Sequence, residues 1–154
     1  MLFRSQSLSH MESHQASIPV FTDGSKSAEG VGAAAVFPAQ TLSHTLPMEA
    51  SIFTAELWAL LIALSFVFSR LSNESHVLYS DSRSALEAIK AIYTTNPLVL
   101  LIQNFLRHLH SRRKQITFCW IPAHVGIQGN EKADQSSKLA ATSLKSSSEY
   151  SHHH

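Results

Sequence analysis

The sequence predicts an α/β domain built on one mixed sheet, on three observations. Three short strand-like segments come first, joined by short links; a long apolar stretch with helical spacing follows; strands then alternate with helices to the end. Strands joined by short links pair antiparallel, whereas strands joined through a helix become parallel neighbours, so five strands make a sheet antiparallel in its first three and parallel in the rest. A chain of 154 residues suits one domain that buries about two-thirds of its unfolded surface.

Taken in order, residues 18–22 read as a strand running into Asp23-Gly24-Ser25, a turn signal. Residues 31–37 form a second strand, entered through Gly30 and Gly32, and 41–46 a third. Ile52, Leu57, Leu60, Leu61, Leu64, Val67, Phe68 and Leu71 recur at helical spacing, with Thr54 as a cap. Residues 76–80 are a strand ending at Asp81, and Ser82 starts a helix bearing Leu86, Ile89, Ile92 and Tyr93, stopped by Asn96-Pro97. Residues 98–109 form a helix, 115–121 a fifth strand and 129–141 a last helix, giving the order βββαβααβα. Residues 1–17 and 143–154 are rich in Ser and His without apolar periodicity, and read as flexible segments around a domain spanning 18–142. His152, His153 and His154 are set aside as a tag remnant or a native end.

Composition excludes several classes. Twelve basic against 11 acidic residues leave a formal charge of +1, which rules out a histone-like binder of nucleic acid. A hydrophobic fraction of 44% is too high for global disorder. The single cysteine, Cys119, forbids an internal disulfide and a thiolate zinc site, and favours a reducing compartment. No apolar stretch follows Arg4, so no secretory signal is read, and an intracellular protein of cytoplasm or nucleus is expected. The longest apolar run, residues 52–68, falls short of the roughly 20 residues of a membrane span and carries Glu56, so it reads as a buried core helix with no membrane contact. Trp58, Trp120, Phe66, Phe68, Phe105 and Phe118 fall on apolar periodicities and read as core, as does Cys119.

The chemistry rests on scarce carboxylates. The chain holds three aspartates, Asp23, Asp81 and Asp134, each at a strand end or in the first turns of a helix. Strands ending at Asp23 and Asp81 can lie side by side, Asp134 reaches the same edge from the last helix, and Glu56 points there from one turn inside the most apolar helix. Each alone has an ordinary explanation as a turn, a helix start or a partner of the helix dipole. Four together repel unless a cation neutralises them, and hard oxygen ligands select Mg²⁺ or Mn²⁺ over zinc.

Four blocks carry a resemblance: Phe21-Thr22-Asp23-Gly24-Ser25-Lys26, Thr54-Ala55-Glu56-Leu57, Tyr79-Ser80-Asp81-Ser82, and the run from Trp120 through Ile121-Pro122-Ala123-His124-Val125-Gly126-Ile127-Gln128-Gly129-Asn130-Glu131-Lys132-Ala133 to Asp134. In this order they resemble type 1 ribonuclease H, and are most similar to the ribonuclease H domain of non-LTR retrotransposons. The resemblance implies an RNase H-like fold and an endonuclease that cuts the RNA strand of RNA/DNA hybrids, leaving 5′-phosphate and 3′-hydroxyl ends. It implies two Mg²⁺ ions, replaceable by Mn²⁺, with Asp23 bridging both, Asp134 helping to hold the ion that activates water, and Glu56 and Asp81 holding the ion at the leaving group. His124 corresponds to a histidine that assists proton movement and product release. Glu131, close to Asp134, is placed to support the metal site from behind its ligands, with an exposed helix-start glutamate as the alternative. A reverse transcriptase domain of the parent polyprotein is the implied neighbour, and a monomer is expected.

Ser25 and Lys26 beside Asp23, Ser51 and Thr54 beside Glu56, and Ser82 and Arg83 beside Asp81 are placed to touch a nucleic-acid backbone; their alternative roles are caps and ordinary surface. Ile52 and Phe53 stand where the cellular enzymes carry side-chain amides. Arg107, His108, His110, Arg112, Arg113 and Lys114 form one basic stretch, which suits phosphates and a helix C-terminus equally. No room exists between Ile92 and Gln115 for the extra basic helix of those enzymes. Competing readings are a hybrid-binding remnant without turnover, a DNA-acting nuclease of the same fold, and a structural interaction domain.

Overall fold

The computed structural model describes residues 2–5 and 17–150, with the side chains of 17–143. Along it run β1 (Leu2–Ser5), β2 (Ile18–Ser27), β3 (Gly30–Val36), β4 (Thr41–Leu46), α1 (Ile52–Ser69), β5 (His76–Ser80), α2 (Arg83–Lys90), α3 (Pro97–Ser111), β6 (Ile116–Trp120) and α4 (Gln128–Tyr150). The strands lie in the order β1-β6-β5-β2-β3-β4. β2, β3 and β4 pair antiparallel, while β5 runs parallel to β2 and β6 parallel to β5. The expected mixed sheet is therefore present.

The structure departs from the sequence reading in particular places. Leu2–Ser5 adds a sixth strand, parallel to β6, within a segment expected to be flexible; four residues are too few to carry a legible alternation. Residues 6–16 and 151–154, also expected to be flexible, lie outside the described residues. Asp23-Gly24-Ser25 is not a turn: β2 continues to Ser27 and pairs with β3 throughout. Gly24 serves close approach instead, since a Cβ there would lie 2.6 Å from the backbone of Ala55 and Glu56. Gly32 does the same for α4, whose Ser137 carbonyl oxygen would meet a Cβ at 2.2 Å.

Ser51 rather than Thr54 caps α1, its Oγ accepting from the Thr54 N–H at 3.1 Å. α2 ends at Lys90, leaving Ile92 and Tyr93 exposed, because the Gln103 amide donates to the carbonyls of Ile89 and Ala91 and takes over the helix end. Asn96 and Pro97 open the next helix, with Asn96 Oδ1 accepting from the N–H groups of Leu98 and Val99. α4 runs past the expected end near residue 141 to Tyr150.

α1 is long and apolar enough to cross a membrane by length and composition, and here it packs on the sheet with nine residues buried. Leu57, Leu60, Leu64 and Val67 are fully enclosed, each worth about 1.5–3 kcal/mol over exposure. They join Val20, Leu78, Ile102 and Phe118 in one core. Strand alternation places Val31 and Ala33 against Ala55 and Ala59 of α1, while Gly32, between them, turns its bare side to α4. The two helices thus cover opposite faces of the β2–β3 pair.

Candidate metal and nucleic-acid site

The parallel register pairs Thr22 with Ser80, so the next residues, Asp23 and Asp81, stand side by side where β5 ends. Thr22 Oγ1 donates to the Tyr79 carbonyl across the same pair. Cross-strand partners share a face, so Asp23, opposite Ala34, points to the α4 side. Glu56 reaches this edge from α1 over the bare backbone of Gly24, whose N–H donates to Glu56 Oε2 at 3.1 Å and to Asp23 Oδ1 at 3.0 Å. The result is a cluster in which oxygens of Asp23, Glu56 and Asp81 lie within 4.8 Å of one another.

Asp134 joins from α4. Its charge raises the pKa of Asp23 and Asp81. One oxygen is already engaged, with Lys138 Nζ at 2.8 Å from Asp134 Oδ2, a bond that raises the lysine's pKa. All four sequence-predicted carboxylates therefore share one site, three in mutual reach and the fourth beside them.

The electrostatics follow from crowding and enclosure. Burial, then the charge of Asp81, pushes Asp23 up to about 7. Glu56 goes up to about 10, through burial first and then the charges of Asp23 and Asp81, although the Gly24 N–H pulls it down. Burial also raises Asp81, against the Asn130 side-chain hydrogen bond and the His124 charge. Carboxyls held protonated near neutrality mark a place short of positive charge. The ligand set is wholly hard oxygen, which suits Mg²⁺ or Mn²⁺; the residues present fit such ions.

The other expected residues are distributed around the cluster. His124 sits exposed in the loop before α4 with φ 56°, close enough for its charge to act on Asp81. Glu131 lies in the first turn of α4 and acts electrostatically on Lys138. Ser25 is buried in β2, and Lys26 Nζ is tied to the Ala50 carbonyl at 2.9 Å. Ser51 caps α1 and donates its hydroxyl to Thr54 Oγ1; Ser82 caps α2 through the Ala85 N–H. Arg83 lies over the Trp120 ring. Lys114 leaves the basic stretch altogether: it is buried and donates to the carbonyls of Val67 and Arg70 at the end of α1.

Asn130 was missed by the sequence reading. It is buried beside Asp81, and its Oδ1 has no hydrogen-bond partner among the described residues. Its spacing four residues before Asp134 puts the two on one helix face, a signal that was available.

A sheet edge that collects acidic oxygens from two strands and two helices of opposite faces defines a class, the α/β domains that offer divalent cations a carboxylate site. The ribonuclease H family model, RNase H, matches residues 15–142, and the chain belongs to that family. Family membership implies a hydrolase acting on RNA in hybrids and the general use of divalent metals. The chain is also similar to the Pol polyprotein of equine infectious anemia virus (strain Wyoming), 30% identical over 132 residues, which cover 84% of this chain and 11% of that protein. It thus spans about a ninth of the length of that relative.

Proposed function

We propose that the domain is an endoribonuclease hydrolysing the RNA strand of RNA/DNA hybrids by a two-metal-ion mechanism, giving 5′-phosphate and 3′-hydroxyl ends. The observation that carries this is the convergence of Asp23, Glu56 and Asp81 within 4.8 Å. Asp23, Glu56, Asp81 and Asp134 would hold two Mg²⁺ ions, with Mn²⁺ as substitute. When bound, such ions neutralise the phosphodiester and stabilise its entering and departing oxygens.

The chain's own groups do the rest. Gly24 N–H holds Asp23 and Glu56 in fixed orientation. His124, exposed beside Asp81, moves a proton near the departing oxygen. Lys26, Ser51, Thr54, Ser82 and Arg83 surround the cluster and meet the hybrid backbone, Glu131 supports the α4 side, and Ser25, buried in β2, is withdrawn from the backbone contacts. Recognition runs through phosphates, shape and the 2′-hydroxyl, so no base-reading element is required.

The relative is a Pol polyprotein, which supports a place within a larger polyprotein. We place the domain in retrotransposon reverse transcription, of the non-LTR type by its motifs, beside a reverse transcriptase domain, inside the cell, as a monomer. A hybrid-binding domain without turnover is the second reading, favoured by Lys138, which engages the Asp134 carboxylate.

The test is cleavage of an end-labelled RNA/DNA hybrid in Mg²⁺ and in Mn²⁺, beside single-stranded RNA, duplex RNA and duplex DNA, with Asp81→Asn as the blank. Hybrid-only cutting lost in Asp81→Asn is the expected result. Cutting of duplex DNA selects a DNA-acting nuclease, and binding without cutting by a folded sample selects the silent domain.

A further inference from the structure

Trp120 closes β6 and pairs with Ser80, the last residue of β5. There the ladder would end, and the carbonyls of Ser80 and Asp81 need donors. The Ile121 N–H takes the Ser80 carbonyl at 3.0 Å, and the Trp120 indole N–H takes the Asp81 carbonyl at 3.2 Å. A side chain thus extends the ladder by one step, to the residue that carries a cluster carboxylate. Trp120 is only half-buried, and the Arg83 guanidinium lies over its ring, 4.5 Å from the centroid.

Helix stability does not explain Arg83. It stands at the start of α2, where a cation meets the partial positive charge of the helix. The indole ring compensates by attracting it. A guanidinium lying against a ring keeps its N–H edge free, and that edge matches the oxygens of a phosphodiester. An arginine already ordered loses less freedom on binding than one free in solvent.

We propose that Trp120 is a positioning residue with two duties: its ring presents Arg83 as a ready contact for a backbone phosphate of the nucleic acid, and its indole N–H fixes the main chain at Asp81. The idea rests on the nucleic-acid substrate proposed above. It goes beyond that reading by assigning a role to a residue whose periodicity suggested only core.

A double-mutant cycle tests it. Binding of a fluorescein-labelled RNA/DNA hybrid to the full chain is followed by anisotropy in EDTA, where no cutting occurs, for wild type, Arg83→Gln, Trp120→Leu and the double variant. Each single change is expected to weaken binding about three- to fivefold and the double no more than the worse single, because the two act as one unit. The slope of log Kd against log salt should fall by about one in each. Trp120→Phe keeps the ring and loses the N–H, so hybrid affinity should hold while kcat in Mg²⁺ falls at unchanged KM. Should Trp120→Leu fail to fold, Arg83→Lys replaces it: the charge stays, the flat fork goes, and binding should weaken as in Arg83→Gln.

Additive losses, an inert Arg83→Gln, or no binding by wild type would overturn the proposal. Wild type that binds with the expected coupling yet never cuts leaves the clamp standing and removes the ribonuclease reading. Cutting without coupling does the reverse.

Discussion

Asp23→Asn should stabilise the metal-free domain, and the gain should depend on pH in a defined window. Asp23 ionises at about 7 in the fold against an ordinary 3.8, held up by burial and by Asp81. Below about pH 4 the carboxyl is protonated folded or unfolded, and the substitution changes little. As pH rises from there, the unfolded chain releases the proton first, so the folded wild type loses stability until about pH 7 and stays at that level above. The difference of about three pH units, at about 1.4 kcal/mol each, sets a ceiling near 4 kcal/mol; relaxation and water entry should leave about 2 kcal/mol. Asn keeps the acceptor for the Gly24 N–H, which lies 3.0 Å from Asp23 Oδ1. For a chain of this size the gain corresponds to a rise in Tm of roughly 6 °C. Thermal unfolding followed by circular dichroism in EDTA between pH 4 and 9 reads it directly. Mg²⁺ should then narrow the gap, since ions that bind the folded wild type stabilise it selectively. A variant less stable than wild type at pH 8 in EDTA, or a gap indifferent to pH, would refute the reasoning.

Three further outcomes are expected. Gly24→Ala forces a Cβ to within 2.6 Å of the α1 backbone and should cost about 3 kcal/mol in urea unfolding; an unchanged midpoint would show that α1 can shift freely. Lys114→Met removes the ammonium that donates to the Val67 carbonyl at 2.8 Å and to that of Arg70, so stability should fall by about 1–2 kcal/mol. Hydrogen exchange should quicken in the last turn of α1 and not elsewhere. Lys138→Gln frees the Asp134 oxygen it engages, and Mn²⁺ affinity measured by calorimetry should rise about threefold as a competing cation leaves; unchanged or weaker Mn²⁺ binding would refute that competition.

The sheet and its connections were legible because chain order constrains them: short links force antiparallel neighbours, and helices between strands force parallel ones. The carboxylates were legible through the scarcity of Asp and through motif context. Gly24 misled, since a glycine after Asp reads as a turn, while its use here is contact with a helix some thirty residues later in the chain. Lys114 and Trp120 misled in another way. Each carries one chemical label in sequence, cation or core aromatic, and only packing shows that the ammonium finishes a helix while the indole faces a site residue. Asn130 was hidden inside a long motif because nothing local distinguishes a buried amide from a surface one.

Two of the three bare strand positions, Gly24 and Gly32, make the hairpin of β2 and β3 a spacer plate. Gly24 is bare towards the helix bearing Glu56, and Gly32 towards the helix bearing Asp134, one turn from Ser137, which it touches. The separation of two carboxylates carried on opposite faces is therefore gauged by the thickness of naked backbone, with no side chain to compress or swell. Substitutions at these positions should mis-space the ligands while leaving every ligand in place, so loss of activity in natural variants can arise from residues that never meet an ion or a nucleotide.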